Sequence, residues 1–494
     1  MTKMVCGQVN VFVYILVILM GLSAWIDING LWSELPILVN RLPEKWSLPS
    51  YMVVIIQMAN IGPLAFSVAK FAKIKHVKEV PVIYIIIITG FASTLLLAFF
   101  WNRTTYIRGV EHSTALFVLN FLLAFVDCTS SVVFLPFMAA FNPKYITALY
   151  IGEGFSGLLP SVVALGQGVS NVHCVNGTQF SNVTRNGSVI NVTEYVVYPM
   201  YQKPTFTIEV FFFFLSGMMV VSGLAFTALN FIPVCKREQT CMGQQYEPAV
   251  FNSEDSELAC GKYKCYESDS PSLEQQVQFH EDSTDLKMGF DNALDSSDSP
   301  TRRTKLKIVI SSELNTDYNQ CNQTVATYVW LLLLTMWING LTNGVLPSIQ
   351  SYSVLPYGNS AYHLAVNLAN IANPLACFVT FFFQIQSVVA ITGLVAVGSV
   401  VGAFCIFLAT SSPDPVLAGE DWGSAMVVIA WVLVVLLLSY PKVAIAGLLR
   451  LRGKRALLWC GIVTQIGSAL GAITMFLSVN IFKLFVQGSP CNHV

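Results

Sequence analysis

The chain has 494 residues and a formal net charge of −1, with 54% hydrophobic and only 11% charged residues, against about 25% charged in soluble domains. So little charge in so long a chain excludes a soluble globular protein and points to a polytopic membrane protein seated in a lipid bilayer. The balanced charge argues against a nucleic-acid partner. With no phosphate-binding loop, no Cys/His metal spacing and no nucleophile–base arrangement, neither an enzyme nor an ATP-driven pump is expected, and no cofactor.

Apolar stretches close to 20 residues long, enough to cross a hydrocarbon core of about 30 Å, predict eleven membrane helices. They fall at residues 11–36, 50–70, 80–101, 114–138, 146–169, 206–233, 325–350, 360–383, 387–410, 424–445 and 455–483. The N-terminus lacks a cleavable signal pattern, so the first helix is expected to be retained. It sets Trp25, Asn29 and Trp32 at i, i+4 and i+7, one face with an amide between two aromatic planes. A flat heteroaromatic ligand could stack there while the amide reads its polar edge. An interfacial tryptophan belt with one helix–helix hydrogen bond suits the same residues, and span one alone leaves both readings open. Asp27 sits off that face, and Glu34 lies near the outer end.

Lys70, Lys73, Lys75 and Lys78 follow span two, Lys236 and Arg237 follow span six, and Arg450, Arg452, Lys454 and Arg455 precede span eleven. Short loops rich in Lys and Arg stay in the cytosol, which predicts a cytosolic N-terminus and an extracellular C-terminus. The Asn-x-Ser/Thr acceptors at Asn102, Asn176, Asn182, Asn186 and Asn191 then all fall outside and are expected to be glycosylated. Asn322 also heads an acceptor but on the cytosolic side, and is expected to be unused. Span four carries Asp127-Cys-Thr-Ser-Ser131 and span five carries Glu153. Acids inside a membrane bind substrate, carry a proton or bridge helices; for Glu34, Asp127 and Glu153 the sequence leaves these alternatives standing.

Residues 1–237 are read as a six-helix bundle with a glycosylated extracellular loop at 170–205. Residues 238–324, rich in Ser, Asp, Glu and Gln, read as a disordered cytosolic linker. Residues 325–494 form a five-helix bundle. Span seven places Asn339, Thr342, Asn343 and Gln350 on one face, loosened by Gly340, Gly344 and Pro347. Four amide or hydroxyl groups on one face exceed what packing requires, and broken backbone suits a cavity lining. His363 and Tyr362 open span eight, where a lone His is more often structural than a pH switch. Cys174 and Cys491 fall in the extracellular segments and could form a disulfide.

The chain repeats itself. Asn29-Gly-Leu-Trp-Ser-Glu-Leu-Pro36 returns about 310 residues later as Asn339-Gly-Leu-Thr-Asn-Gly-Val-Leu-Pro347, with one extra residue. Gln57-Met-Ala-Asn60 is echoed at the same offset by Asn367-Leu-Ala-Asn370, and Glu153-Gly-Phe-Ser-Gly-Leu faintly by Gln465-Ile-Gly-Ser-Ala-Leu. The expected fold is therefore all-α: eleven helices in a 6+5 parallel pseudo-repeat, like major-facilitator or equilibrative nucleoside carriers, with substrate held between the halves.

Several stretches resemble the riboflavin transporter family, solute carrier family 52. They are Ile28-Asn-Gly-Leu-Trp-Ser-Glu-Leu-Pro36, Trp46-Ser-Leu-Pro-Ser-Tyr51, Val126-Asp-Cys-Thr-Ser-Ser131, Gly152-Glu-Gly154, Leu341-Thr-Asn-Gly344, Pro356-Tyr-Gly358 and Ala361-Tyr-His-Leu364. The resemblance implies sodium-independent riboflavin uptake at the plasma membrane, and for some members a second role as receptor for a viral envelope protein. Two departures stand out. Asp27 replaces a small or neutral residue, and Asp414 stands where the family carries a cysteine paired with a C-terminal one, so that family disulfide is expected to be missing. Riboflavin would stack near Trp25 and be read by Asn29, Asn339, Thr342 and Asn343, with Gln350, Asp127 or Glu153 toward the ribityl chain. An equilibrative nucleoside-type carrier and a cell-surface receptor are the alternatives.

Overall fold

Hydrocarbon offers a backbone no water to bond, so each span must satisfy its peptide groups internally, and a helix does so within one segment. The computed structural model follows that rule. It describes residues 10–72, 78–142, 144–169, 172–185, 188–201, 204–243, 325–383, 385–452 and 454–488. The acceptor sites at Asn186 and Asn322 and the cysteine Cys491 lie outside the described residues. The main unit comprises Met1–Glu247 and Leu331–Val494; Pro248–Trp330 forms a second, of which only the helical residues 325–330 are described.

In chain order the helices are α1 (Val11–Leu22), α2 (Ile26–Ser33), the short α3 (Leu35–Leu38), α4 (Leu48–Met58), α5 (Ile61–Phe71) and α6 (Glu79–Phe100). A small hairpin, β1 (Thr105–Ile107) with β2 (Val110–His112), leads to α7 (Thr114–Met138) and α8 (Lys144–Gln167). The segment expected as a loop at 170–205 contains a second antiparallel hairpin, β3 (Val172–Arg185) with β4 (Ser188–Tyr201), whose register pairs Asn182 with Asn191. Then come α9 (Ile208–Phe231), α10 (Pro233–Gly243), α11 (325–340), a π-helical turn (Leu341–Val345) and α12 (Leu346–Val354). The chain continues with α13 (Asn359–Phe382), α14 (Val388–Thr410), α15 (Asp421–Leu451), α16 (Lys454–Phe476) and a second π-helical turn (Leu477–Ile481).

Among the described residues nine helices are long and apolar enough to cross a membrane, or ten if α1 and α2, bent by 53° at a short break, make one span. The molecule is a helical polytopic membrane protein. Against the expected eleven, α13 makes the difference: its 24 residues suffice in length, but Asn359, His363, Asn367, Asn370 and Asn373 dilute its apolar run. Helix α15 runs a turn and a half beyond the expected end at 445, and Lys442 lies well within it.

One end of the molecule collects alternate loops. There Trp101 donates its indole N–H to Glu209 (2.9 Å), and Glu44 accepts the Ser113 N–H that starts α7 (2.8 Å). Tyr357 bonds the Val416 carbonyl (2.6 Å) and Ser412 that of Val486 (2.7 Å). At the opposite end Lys70 pairs with Glu79 (2.6 Å). The first half of the chain, through α10, and the second, from Leu331, meet along α8, α2 and α4 on one side and α13, α12 and α16 on the other.

Candidate functional site

The site begins with a broken helix. Ser23 turns its hydroxyl back on the Met20 carbonyl (2.8 Å), and Trp25 leaves helical geometry with φ −143° and ψ 9°. A break inside a membrane strands backbone groups, which something must satisfy. Helix α7 supplies the partners: Ser130 donates to the freed Ala24 carbonyl (3.1 Å), and Asp127 Oδ2 accepts the Ile28 N–H in the first turn of α2 (3.1 Å). The polar run on span four therefore has a definite task, to hold α2 at its angle to α1.

The turned helix presents Asn29 and Ser33 to α8 and α13. Gly157 makes room: a Cβ there would sit 3.4 Å from Asn29 Nδ2 and 3.5 Å from the Asn370 carbonyl oxygen. Ser33 Oγ donates to the Asn29 carbonyl (3.0 Å) and lies 3.3 Å from Ser161 Oγ, while Asn370 Nδ2 reaches it at 3.5 Å. Trp25, Asn29 and Trp32 are all half-buried. Glu153 lies near the Trp25 indole and within electrostatic reach of Lys442 of the second half. Glu34 is fully buried at the junction of α2 and α3, and neither of its carboxyl oxygens has a hydrogen-bond partner among the described residues.

Span seven uses its amides differently. Asn339 is fully buried; its Nδ2 donates to the Thr335 carbonyl (2.8 Å) and reaches Thr464 of α16 at 3.4 Å. Asn343 Nδ2 bridges Asn339 Oδ1 (3.2 Å) and Ser468 (3.1 Å). Thr342 returns its hydroxyl to the Ile338 carbonyl (2.9 Å). The π turn at Leu341–Val345 presses this helix onto α16 through glycines. A Cβ on Gly467 would lie 2.1 Å from the Met336 carbonyl oxygen, and one on Gly471 2.3 Å from that of Gly340. Asn339 thus serves the α11–α16 crossing, whereas Thr342 and Asn343 keep half-exposed faces. Gln350 is buried in α12, nearer the loop-rich end.

Hydrogen bonds tie the halves at that same end. Asn40 donates to Asn359 (3.2 Å), Ser351 to the Trp46 carbonyl (2.5 Å), and Asn480 to Ser50 (2.7 Å). His363 Nε2 lies 3.0 Å from the Ala164 carbonyl, which can only accept, so Nε2 carries the hydrogen and the residue is structural here. Tyr51 packs edge-on against Phe476 (5.2 Å) and Trp46 against Tyr352 (5.9 Å).

Sequence reasoning brought together Trp25, Asn29 and Glu153, which the structure places around one junction. It missed Lys442 and Asn370. Lys442 carried a signal, a lone basic residue with apolar helix on both sides. Asn370 was visible in the repeat beside Asn60, yet only the fold shows that it reaches Ser33.

A polar junction enclosed between two halves of a helical bundle, with charged groups facing across it, defines a multi-pass membrane carrier as the class of this protein. A family model described as solute carrier family 52, riboflavin transporter, matches residues 9–487. The chain belongs to that family. It is 41% identical over 485 residues to Danio rerio solute carrier family 52, riboflavin transporter, member 3-B, covering 98% of this chain and 99% of that one. It is 43% identical to Salmo salar riboflavin transporter 2, with 97% and 98% covered. Identity to Homo sapiens member 3 of the family is 36%, again with 97% and 98% covered. Among solved structures, the Escherichia coli xylose transporter XylE overlays at TM-score 0.48 and 12% identity, covering 98% of this chain and 93% of that one.

Proposed function

We propose that this protein carries riboflavin into the cell across the plasma membrane, without sodium, by alternating access between the two halves. Family membership along nearly the whole chain supports the substrate. The observation that carries the mechanism is the junction of α2, α8 and α13, where half-exposed Asn29 and Asn370 close on Gly157, Asn370 reaches Ser33, and Trp25 and Glu153 lie alongside. The isoalloxazine stacks on Trp25, its amide-like edge is read by Asn29, Thr342 and Asn343, and the ribityl chain runs toward Gln350, Asp127 or Glu153. Trp32, Glu34 and Asn339 complete the candidate set, Asn339 through the crossing it holds.

In this reading α13 counts as a span, giving eleven in a 6+5 arrangement: residues 1–237, a cytosolic linker at 238–324, and residues 325–494. The loop-rich end is extracellular, which puts Asn102, Asn176, Asn182, Asn186 and Asn191 where glycans are added and allows a Cys174–Cys491 bond. Hydrogen bonds at that end form the outer closure. Uptake of labelled riboflavin, challenged with unlabelled riboflavin, lumiflavin and uridine, tests the substrate. Competition by riboflavin and lumiflavin is expected; competition by uridine alone would make the protein a nucleoside carrier instead.

A further inference from the structure

Gln57 and Asn60 belong to the chain's repeat, yet they take no part in the site described above. Both are half-buried and one helical turn apart. Span two pauses where they stand: α4 ends at Met58, α5 begins at Ile61, and the Gly62 N–H turns back to the Ala59 carbonyl (3.0 Å). Asn60 Nδ2 donates to Gln57 Oε1 (3.2 Å), which turns the nitrogen of the Asn60 amide toward Gln57 and its oxygen away. That oxygen, Oδ1, is buried and has no hydrogen-bond partner among the described residues. A buried acceptor left unpaired is costly, so a fold that keeps one calls for a use of it.

Helix α7 gives the depth of that oxygen. Spans two and four run side by side in the same direction: Asn120 donates to the Met52 carbonyl (3.2 Å), and further along both helices a Cβ on Gly62 would lie 2.3 Å from Thr129 Oγ1. Asn60, two residues before Gly62, therefore stands level with Asp127, two residues before Thr129. Asp127 in turn holds the Ile28 N–H, next to Asn29. Asn60 and Asn29 thus share one depth on different flanks of the interface. On the Asn60 flank α4 packs against α12, α16 and the π-helical turn that carries Thr342 and Asn343.

The repeat shows what is unusual about this flank. At the offset that aligns the motifs, Ser33 corresponds to Asn343 and Asn60 to Asn370. Asn370 Nδ2 reaches Ser33 Oγ at 3.5 Å. The matching contact is not made, because Asn343 Nδ2 is spent on Asn339 and Ser468 and leaves no N–H for Asn60. One flank closes on its own amide, while the other keeps an acceptor for a donor from elsewhere.

We propose that Asn60 is a substrate-reading residue whose Oδ1 accepts the imide N–H of the flavin ring, with Gln57 as the residue that positions it. The assignment rests on the transport reading above and deepens it. The amide-like edge of the isoalloxazine carries a single N–H between two carbonyls, and Asn60 supplies the acceptor for that N–H beside Thr342 and Asn343. A site built to bond a substrate N–H rejects the analogue that lacks it, because the acceptor is then stranded.

The test measures uptake of labelled riboflavin in competition with lumiflavin and with an N-methylated lumiflavin in which a methyl group replaces the imide hydrogen. The wild type should prefer lumiflavin by at least about tenfold. In Asn60→Ala the two should compete nearly equally, and Gln57→Leu, which frees the Asn60 amide to rotate, should lower the preference in the same direction. A structural role would change surface delivery or total uptake and leave the preference alone. Equal competition in the wild type overturns the proposal, as does a preference that survives in Asn60→Ala; a preference unchanged in Gln57→Leu overturns the positioning role. Asn60→Ser is the second variant where Asn60→Ala is not delivered to the surface, and loss of delivery in both makes Asn60 structural and overturns its reading role. A failed transport reading looks different: the wild type itself takes up no riboflavin, and the assignment of Asn60 falls with it.

Discussion

Spans one and seven begin from the same motif and end in opposite uses of it. Both cross a partner helix at glycines. In the first half a Cβ on Gly152 would lie 2.2 Å from the Ile18 carbonyl oxygen, and one on Gly21 2.7 Å from that of Leu149; in the second, Gly467 and Gly471 play the same part against Met336 and Gly340. Small residues let helix backbones approach this closely in a membrane. Beyond the crossing the halves part. Span one breaks outright, by 53°, and borrows Asp127 and Ser130 to satisfy the break. Span seven absorbs its extra residue in a π turn, with no more than a bulge in the hydrogen-bond ladder. The broken helix turns Asn29 toward the junction between the halves, while the bulged one turns Asn339 inward against Thr464. One motif thus supplies a reader on one side and a fastener on the other.

The largest effect should come from the crossings themselves. Gly152→Val and Gly467→Val each drive a branched side chain into a backbone carbonyl, and overpacking of this kind costs about 1–3 kcal/mol or more. Both variants should lose surface delivery, scored by cell-surface biotinylation; normal delivery of either would show that the helices can slide apart. Next comes the division of labour. Asn29→Leu should cut riboflavin uptake by at least about tenfold, equivalent to ~1.4 kcal/mol, with thermal unfolding of the purified protein unchanged. Asn339→Leu should instead lower stability by about 1–3 kcal/mol, since it strips buried groups of their partners. Equal loss of stability in the two variants would erase the contrast between the halves.

A smaller effect is expected at the outer closure. Asn480→Ala removes one tie, worth about 1 kcal/mol, enough to move a two-state equilibrium roughly fivefold. A Ser47→Cys reporter, at a half-buried position one turn before Ser50 that leaves the Asn480–Ser50 bond in place, should then react faster with an impermeant thiol reagent in Asn480→Ala than in the parent. An unchanged rate would mean that this bond is no part of the closure. The smallest effect concerns the surface: Asn102→Gln should shift the protein's mobility on a gel by one glycan and leave uptake unaltered, and no shift would place that loop away from the glycosylation machinery.

Much of this was legible in the chain. The apolar runs fixed the helices to within a few residues, because a membrane imposes one length and one backbone solution on every span. The glycine and asparagine pattern marked the matching segments at 29–36 and 339–347. Span eight was read as an apolar stretch at 360–383, and a helix stands there, α13, although it is too polar to register as a span by hydropathy. Lys442 was not singled out although it falls within the expected span 424–445; only the packing of α15 puts it within electrostatic reach of Glu153.

What the sequence determined by itself is what local chemistry dictates: where helices form, which faces are polar, and which residues are too costly to bury without a task. What each polar face does was decided by tertiary structure. The direction of a side chain depends on a helix's bend and its neighbour, and the same asparagine motif follows a break in one half and a π turn in the other. No spacing rule distinguishes these two, because the difference lies in whether a second helix, here α7 with Asp127 and Ser130, stands close enough to satisfy a backbone that has come apart.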